Sequence, residues 1–206
     1  MAKMYIVISA YKADKWIKQC LASACREGRV ILGIDGCKDT LNVVKKVRGK
    51  YKNLRVFWFP ENKGCYLTKN ALIDYVPEGE VFMTFDADDI MNIGMAKIMR
   101  KNIPCYSRHT GVMCITKDMW NELGGFRPWR VHADTDLIYR LGLKYTVKKL
   151  RKLFYRRYHS GQLTKMKHTG LKSDMRNECR RLTRENLESE NPLMYFEGEK
   201  NIGQEI

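Results

Sequence analysis

No apolar run in this chain of 206 residues approaches the ~20 needed to cross a bilayer, so a membrane-spanning protein is not expected. The seven cysteines are odd in number and no two are spaced C-x-x-C. Neither a disulfide framework nor a zinc site is therefore expected. Cys20, Cys25, Cys37, Cys65, Cys105, Cys114 and Cys179 read mostly as small buried apolar groups. There is no internal repeat, no low-complexity stretch, and no helix-turn-helix, zinc or RNA-recognition signature. Residues Met1 to Ala10 enter a strand-like run directly and leave no room for a signal peptide, so a cytoplasmic location is expected. Acidic residues are scarce in one stretch. Residues 140–184 hold 15 Lys or Arg against Asp174 and Glu178, whereas residues 185–206 hold six Glu against Lys200. The basic block accounts for most of the net charge of +15. Two readings stay open for it: attraction to a polyanion, either nucleic acid or an anionic membrane surface, and a plain solvated face.

What is present suits one domain with an appendage, since 44% of residues are hydrophobic, enough for a real core. Strand-like runs at Tyr5–Ser9, Arg29–Ile34, Leu54–Phe59 and Val81–Phe85 alternate with helical patterns at Lys15–Cys25, Thr40–Lys50 and Tyr66–Tyr75. Asp14 and Asp39 are expected to cap the first two helices. The alternation predicts an α/β fold with a mostly parallel sheet flanked by helices. Beyond Asp89 the pattern predicts a strand at Val112–Thr116 and helices at Lys117–Leu123 and Ala133–Leu141. Lys148–Tyr155 fits either strand or helix. From about residue 166 a charged helical extension is expected, with disorder over its last 15 or so residues.

In such a sheet the strands end along one edge, where ligands bind. Unusual residues fall there four times: Tyr11 and Lys12; Asp35 and Gly36; Glu61 to Gly64; Asp86, Ala87 and Asp88. The last group carries most weight. Three carboxylates, Asp86, Asp88 and Asp89, follow a buried apolar strand. Like charges about 4 Å apart at an effective dielectric near 20 repel by roughly 4 kcal/mol per pair. A divalent cation removes that cost, and carboxylate oxygens suit Mg²⁺ or Mn²⁺. The segment reads as a metal–nucleotide site, with Asp89 equally readable as a helix cap.

These residues, in this order, resemble the inverting family-2 glycosyltransferases with the GT-A fold. Tyr5 to Lys12 resembles their first strand and its aromatic exit, and Asp35-Gly36-Cys37-Lys38-Asp39 their D-D-G-S-x-D turn. Asn62-Lys63-Gly64 with Asn70 is similar to N-x-G and a downstream Asn, and Asp86-Ala87-Asp88 to the D-x-D signature. Gly124-Gly125-Phe126, then Asp134-Thr135-Asp136-Leu137 with Arg140-Leu141, resemble the acceptor segment, and Tyr155 to His159 a late Y-x-R-x-H element. The likeness covers roughly residues 4–165. It departs at Ile34, Cys37, Ala133 and Ser9, which replace the first Asp, the Ser, the Glu and the Pro of the family pattern.

The resemblance implies a domain over 1–165, with a nucleotide-sugar half at 1–90 and an acceptor half at 91–165, and a charged extension at 166–206. It implies transfer of a sugar from a nucleoside diphosphate sugar to an acceptor hydroxyl, with Mn²⁺ or Mg²⁺. Asp88 is the first metal ligand expected. Asp86 touches ribose or the metal, and His159 is a second ligand or an ordinary surface histidine. Asp134 is the expected general base, or else a carboxylate serving its helix dipole. Asp136, two residues on, points elsewhere in a helix. Asp35 is expected at the nucleobase or in a turn, and Tyr11 stacked on the base or in the core. Lys63 is counted with the donor-binding residues, and Arg156 and Arg157 are expected to face the diphosphate. Trp129 offers a stacking face, while Trp120 suits the core. DNA with hydroxylated bases, of the kind modified in bacteriophages, is one candidate acceptor, on charge alone. Envelope polysaccharide or lipid is another. Sugar-phosphate nucleotidyl transfer and non-catalytic nucleic-acid binding stand as alternative functions.

Overall fold

Four runs rich in β-branched and aromatic residues form the parallel centre of one sheet: β1 (Tyr5–Ala10), β2 (Arg29–Asp35), β3 (Leu54–Phe59) and β4 (Val81–Asp86). The computed structural model describes residues 4–189 and 203–206. Helices α1 (Ile17–Glu27), α2 (Lys38–Val47) and α3 (Cys65–Ile73) join these strands. The chain continues through β5 (Ile90–Met91), α4 (Met95–Arg100), β6 (Cys105–Ser107), β7 (Met113–Thr116), α5 (Lys117–Leu123) and α6 (Ala133–Gly142). It closes with β8 (Lys148–Leu150), β9 (Phe154–Tyr155), α7 (Asp174–Glu188) and β10 (Gln204–Glu205). The sheet order is β10-β3-β2-β1-β4-β7-β6-β8, and β5 pairs with β9 in a separate ribbon. Pairings among β3, β2, β1 and β4 are parallel, whereas β7 and β10 run against their neighbours.

Side-chain alternation along the strands sets which helices cover which face. Ile6, Ile8, Leu32, Ile34 and Phe85 turn to one side, where Ile17, Leu21, Val44, Met95 and Met99 of α1, α2 and α4 cover them. Val7, Ile31, Phe57 and Phe82 turn to the other, under Leu72, Trp120, Leu137 and Leu141 of α3, α5 and α6. Burying each such side chain stabilises the fold by about 1.5–3 kcal/mol. Because β1 sits between β2 and β4, the crossovers from the sheet centre leave in opposite directions. The resulting crevice opens at the C-terminal ends of β1 and β4.

Several local expectations change. Trp16, not Asp14, precedes α1, and Cys37 precedes α2, neither with a side-chain capping bond. The Ala13 carbonyl accepts the first amides of α1, and the Thr40 hydroxyl accepts the Ala13 amide. Asp39 lies in the first turn of α2, where its charge still suits the dipole. Residues 148–155 form two short strands rather than one element. The expected disorder at the C-terminus falls partly on residues 190–202, outside the described residues. At the end itself, β10 pairs antiparallel with β3, and Arg55 donates twice to Glu205 at 2.8 Å. No helix among the described residues is long and apolar enough to cross a membrane.

Candidate active site

The second strand ends on Asp35, which is 1% exposed. Its carboxylate accepts the Lys63 amide at 2.8 Å, the Gly64 amide at 3.0 Å and the Asn62 side-chain amide at 3.0 Å. Gly36 permits this approach. Its φ is +68°, and a Cβ there would lie 2.5 Å from the Asn62 nitrogen. Asp35 therefore shapes the 62–64 loop, as the turn reading foresees. Lys63 pairs through its ammonium with Glu61 at 3.2 Å. Tyr11, just past the end of β1, is 47% exposed, which removes the core reading, and the Lys12 ammonium lies 5.3 Å from its ring centroid.

The end of β4 gathers the charge. Asp86 pairs at 3.2 Å with Lys69, whose side chain is only 3% exposed. Burial pushes the Asp86 carboxyl up, but the Lys69 ammonium together with the His109 and Arg156 charges outweighs it and holds the group below the ordinary carboxylate range. Asp88 Oδ2 lies 3.0 Å from His159 Nε2 and 3.3 Å from Gln162 Nε2. Asp89 is buried and accepts the Arg157 amide at 2.9 Å, so it caps no helix. Burial, then the Asp86 charge, push its carboxyl up to about 8. His109 completes a second group: ligand atoms of Asp86, Asp89 and His109 lie within 4.8 Å of one another. Burial lowers the His109 pKa, Asp86 partly restoring it, and its buried Nε2 has no hydrogen-bond partner.

The expectation that both arginines face a diphosphate changes for Arg157. Its guanidinium donates to the Asp88 carbonyl at 3.1 Å and to Gln19, and lies 4.3 Å over the Trp16 ring. These contacts fix the acidic turn rather than leave a fork open. Arg156 lies over Tyr158 and its charge reaches Asp86, Asp89 and His109.

Helix α6 supplies the third side. Asp134 Oδ1 accepts from Tyr66 Oη at 2.8 Å, and Oδ2 from Thr110 Oγ1 at 2.7 Å. Burial and the Asp134 charge raise the Tyr66 pKa well above normal, so it stays a phenol and a donor. A Cβ at Gly111 would lie 3.2 Å from His109 and 3.4 Å from Asp134, so both side chains pack against this one glycine. Asp136 does point elsewhere. It is buried between Arg127, at 3.1 Å, and Arg140, at 2.8 Å. Arg140 also donates to the Leu123 and Gly125 carbonyls, and Asn70 clamps Phe126 through both its amide atoms, at 2.8 and 3.1 Å. The Gly124-Gly125-Phe126 turn is thus held from two sides. Trp120 is in the core, and Trp129 is partly buried under Arg127.

The structure brings Asp88 and His159 together, whereas the ligand atoms that gather around Asp86 are those of Asp89 and His109 rather than the expected His159. Asp134 and His109 both lie against Gly111. Sequence reasoning missed Lys69, His109, Tyr66 and Thr110. Lys69 and Tyr66 sit in a helix read only for its apolar stripe, and His109 and Thr110 lie in a loop without a recognised spacing. A hollow of about 690 Å³ lies elsewhere, lined by Tyr106, Tyr139, Leu143 and Tyr145 among others. It holds no carboxylate or imidazole, so its size does not mark the chemistry.

The mostly parallel, helix-flanked sheet is that of the GT-A class of fold. Residues 5–161 match glycosyl transferase family 2, and the chain belongs to that family. No curated protein sequence matches it. Among solved structures, S. aureus TarS 1–349 in complex with UDP-GlcNAc superposes with a TM-score of 0.72 at 17% identity, covering 91% of this chain and 67% of that one. Without that ligand, TarS 1–349 gives 0.69, again at 17% identity and 91% coverage, and this chain spans 66% of its length. The mannosyltransferase PcManGT from Pyrobaculum calidifontis, in complex with GDP-Man and Mn²⁺, gives 0.65 at 14% identity, covering 79% of this chain and 60% of that one. At these identities the likeness carries the fold.

Proposed function

We propose that the protein transfers a sugar from a nucleoside diphosphate sugar to an acceptor hydroxyl with inversion. The observation that carries this is the meeting of Asp88 and His159 at 3.0 Å, beside Asp86, at the C-terminal edge of the sheet. A carboxylate and an imidazole converging there suit a divalent cation, and the partnerless buried nitrogen of His109 adds a donor to the same region. Asp86, Asp88 and His159 would hold Mn²⁺ or Mg²⁺, which when bound supplies charge neutralisation for the departing diphosphate. The two nucleotide-sugar complexes among the structural neighbours support a donor of this class.

The chain's own residues account for the remaining steps. Asp134 takes the proton of the acceptor hydroxyl as its oxygen bonds to the anomeric carbon. The bond from that carbon to the diphosphate oxygen breaks, and the electron pair leaves with the diphosphate. Hydrogen bonds from Tyr66 and Thr110 hold the Asp134 carboxylate in place. Tyr11, half exposed with Lys12 over its ring, would meet the base, and Lys63 and Arg156 would meet the donor. We assign the donor to residues 1–90, the acceptor to 91–165, and an accessory role to 166–206.

Turnover of UDP- and GDP-sugars with Mn²⁺, scored as free nucleoside diphosphate, tests the proposal. Activity should vanish with chelator and in Asp88→Ala. If no donor is consumed under any divalent metal, or Asp88→Ala matches the parent, sugar transfer is abandoned. Consumption only of a nucleoside triphosphate with a sugar phosphate would instead assign nucleotidyl transfer.

A further inference from the structure

The ribbon beside the acidic turn carries a second feature that donor chemistry does not use. Tyr155 is 56% exposed and Tyr158 58% exposed. Exposed apolar side chains gathered on one face mark an interaction surface, whereas scattered ones are ordinary. Each ring is dressed with cations. Lys152 lies 5.8 Å from the Tyr155 centroid, and Lys165 and Arg156 lie 5.6 and 5.5 Å from that of Tyr158. Arg108 donates to the Tyr158 hydroxyl at 3.2 Å. Arg108 is itself held at φ +62°, a conformation that side chains other than glycine rarely adopt. Tyr158 immediately precedes His159, so the patch begins where the proposed metal site ends.

Flat rings alternating with cations are how proteins hold single nucleic-acid strands. Bases stack on the aromatics, and Lys and Arg track the phosphates. An enzyme acting on a base needs it out of the helical stack, and an exposed ring beside the reactive centre gives it somewhere to go. We propose that Lys152, Tyr155, Tyr158, Lys165 and Arg108 form an acceptor platform for a nucleic-acid strand. The proposal rests on the sugar-transfer reading only for the word acceptor; the binding surface stands on its own geometry. The acceptor hydroxyl is then one carried by the strand, with a base seated on Tyr158 beside His159. An anionic membrane is the rival partner, because Leu163, Met166 and Leu171 are exposed among Lys165, Lys167 and Lys172. The two exposed rings favour the strand, since a planar base can stack on them and a lipid headgroup cannot.

Fluorescence anisotropy with a labelled 20-nucleotide single strand, without donor and with chelator, measures this directly. Binding is expected, and log K should fall with log salt by about 0.7 for each phosphate contacted. Tyr158→Ala should weaken it about 5- to 150-fold, the loss of one stacked base. Lys152→Ala with Lys165→Ala should lessen the salt slope, and donor hydrolysis by that double variant should match the parent. Asp88→Ala should abolish donor use yet bind the strand normally, so the two readings fail separately. Absence of strand binding, a flat salt response, or unchanged affinity in Tyr158→Ala would falsify the platform. Co-sedimentation with phosphatidylserine vesicles but no strand binding would overturn it in favour of the membrane.

Discussion

Asp134 and Asp89 show how position decides the work of a carboxylate. Asp134 receives two hydroxyl donors, from Tyr66 and Thr110, that fix the orientation of its carboxylate. Asp134→Asn keeps the shape and removes the base. Sugar transfer should fall about 10²- to 10⁴-fold in kcat, with donor binding by titration nearly unchanged. Burial and the Asp86 charge push Asp89 up to about 8. Between the ordinary carboxylate range and that value the native state keeps a proton that the unfolded chain releases. Stability therefore falls as pH rises through this window, by at most about 1.4 kcal/mol per pH unit. Asp89→Asn, which mimics the protonated form, should flatten the urea-denaturation midpoint measured from pH 5 to 8 without metal. An unchanged pH dependence would remove Asp89 as its source. The Asp88–His159 pairing was legible, because ordered motifs mark both ends. Lys69 and His109 were not: one lysine in a helix reads as solvent-facing, and the burial that gives it a partner comes from tertiary packing.

At the scale of elements, strands and helices followed from period and punctuation. Leu54–Phe59 and Lys117–Leu123 match their expected bounds. The helix starts did not, because the Ala13 carbonyl accepts the Trp16 and Ile17 amides at the start of α1, and neither helix start has a side-chain cap from its nearest aspartate. The clamp around Gly124-Gly125-Phe126 was also hidden, since its partners arrive from α3 and α6. Breaking it at Asp136→Ala leaves Arg127 and Arg140 buried without their counterion. Loss of about 3–5 kcal/mol in chemical denaturation is expected. Gly36→Ala places a methyl group against the Asn62 backbone at positive φ. It should lower both the melting temperature and donor affinity, because the 62–64 loop must move away from Asp35.

Across the whole molecule, one sheet carries both proposed halves, since β6, β7 and β8 extend the plane begun by β1 to β4. A ligand gripped at the crevice therefore loads the entire fold. Mn²⁺ with a matching nucleotide sugar should raise the melting temperature. At a hundredfold excess over Kd the gain is about 2.7 kcal/mol. Asp88→Ala should abolish the shift, and a shift that persists in that variant would place the cation elsewhere. The parallel core was readable from alternation alone. The edge was not: β10 is two residues long and gains its place only by pairing with β3.

His159 meets Asp88 across 71 positions of sequence. A ribosome makes the acidic turn long before it makes the imidazole. If the proposed site holds, cation affinity would be acquired late in biosynthesis, when the final ribbon returns to the rim, and a nascent chain holding only the first half would not yet capture its donor.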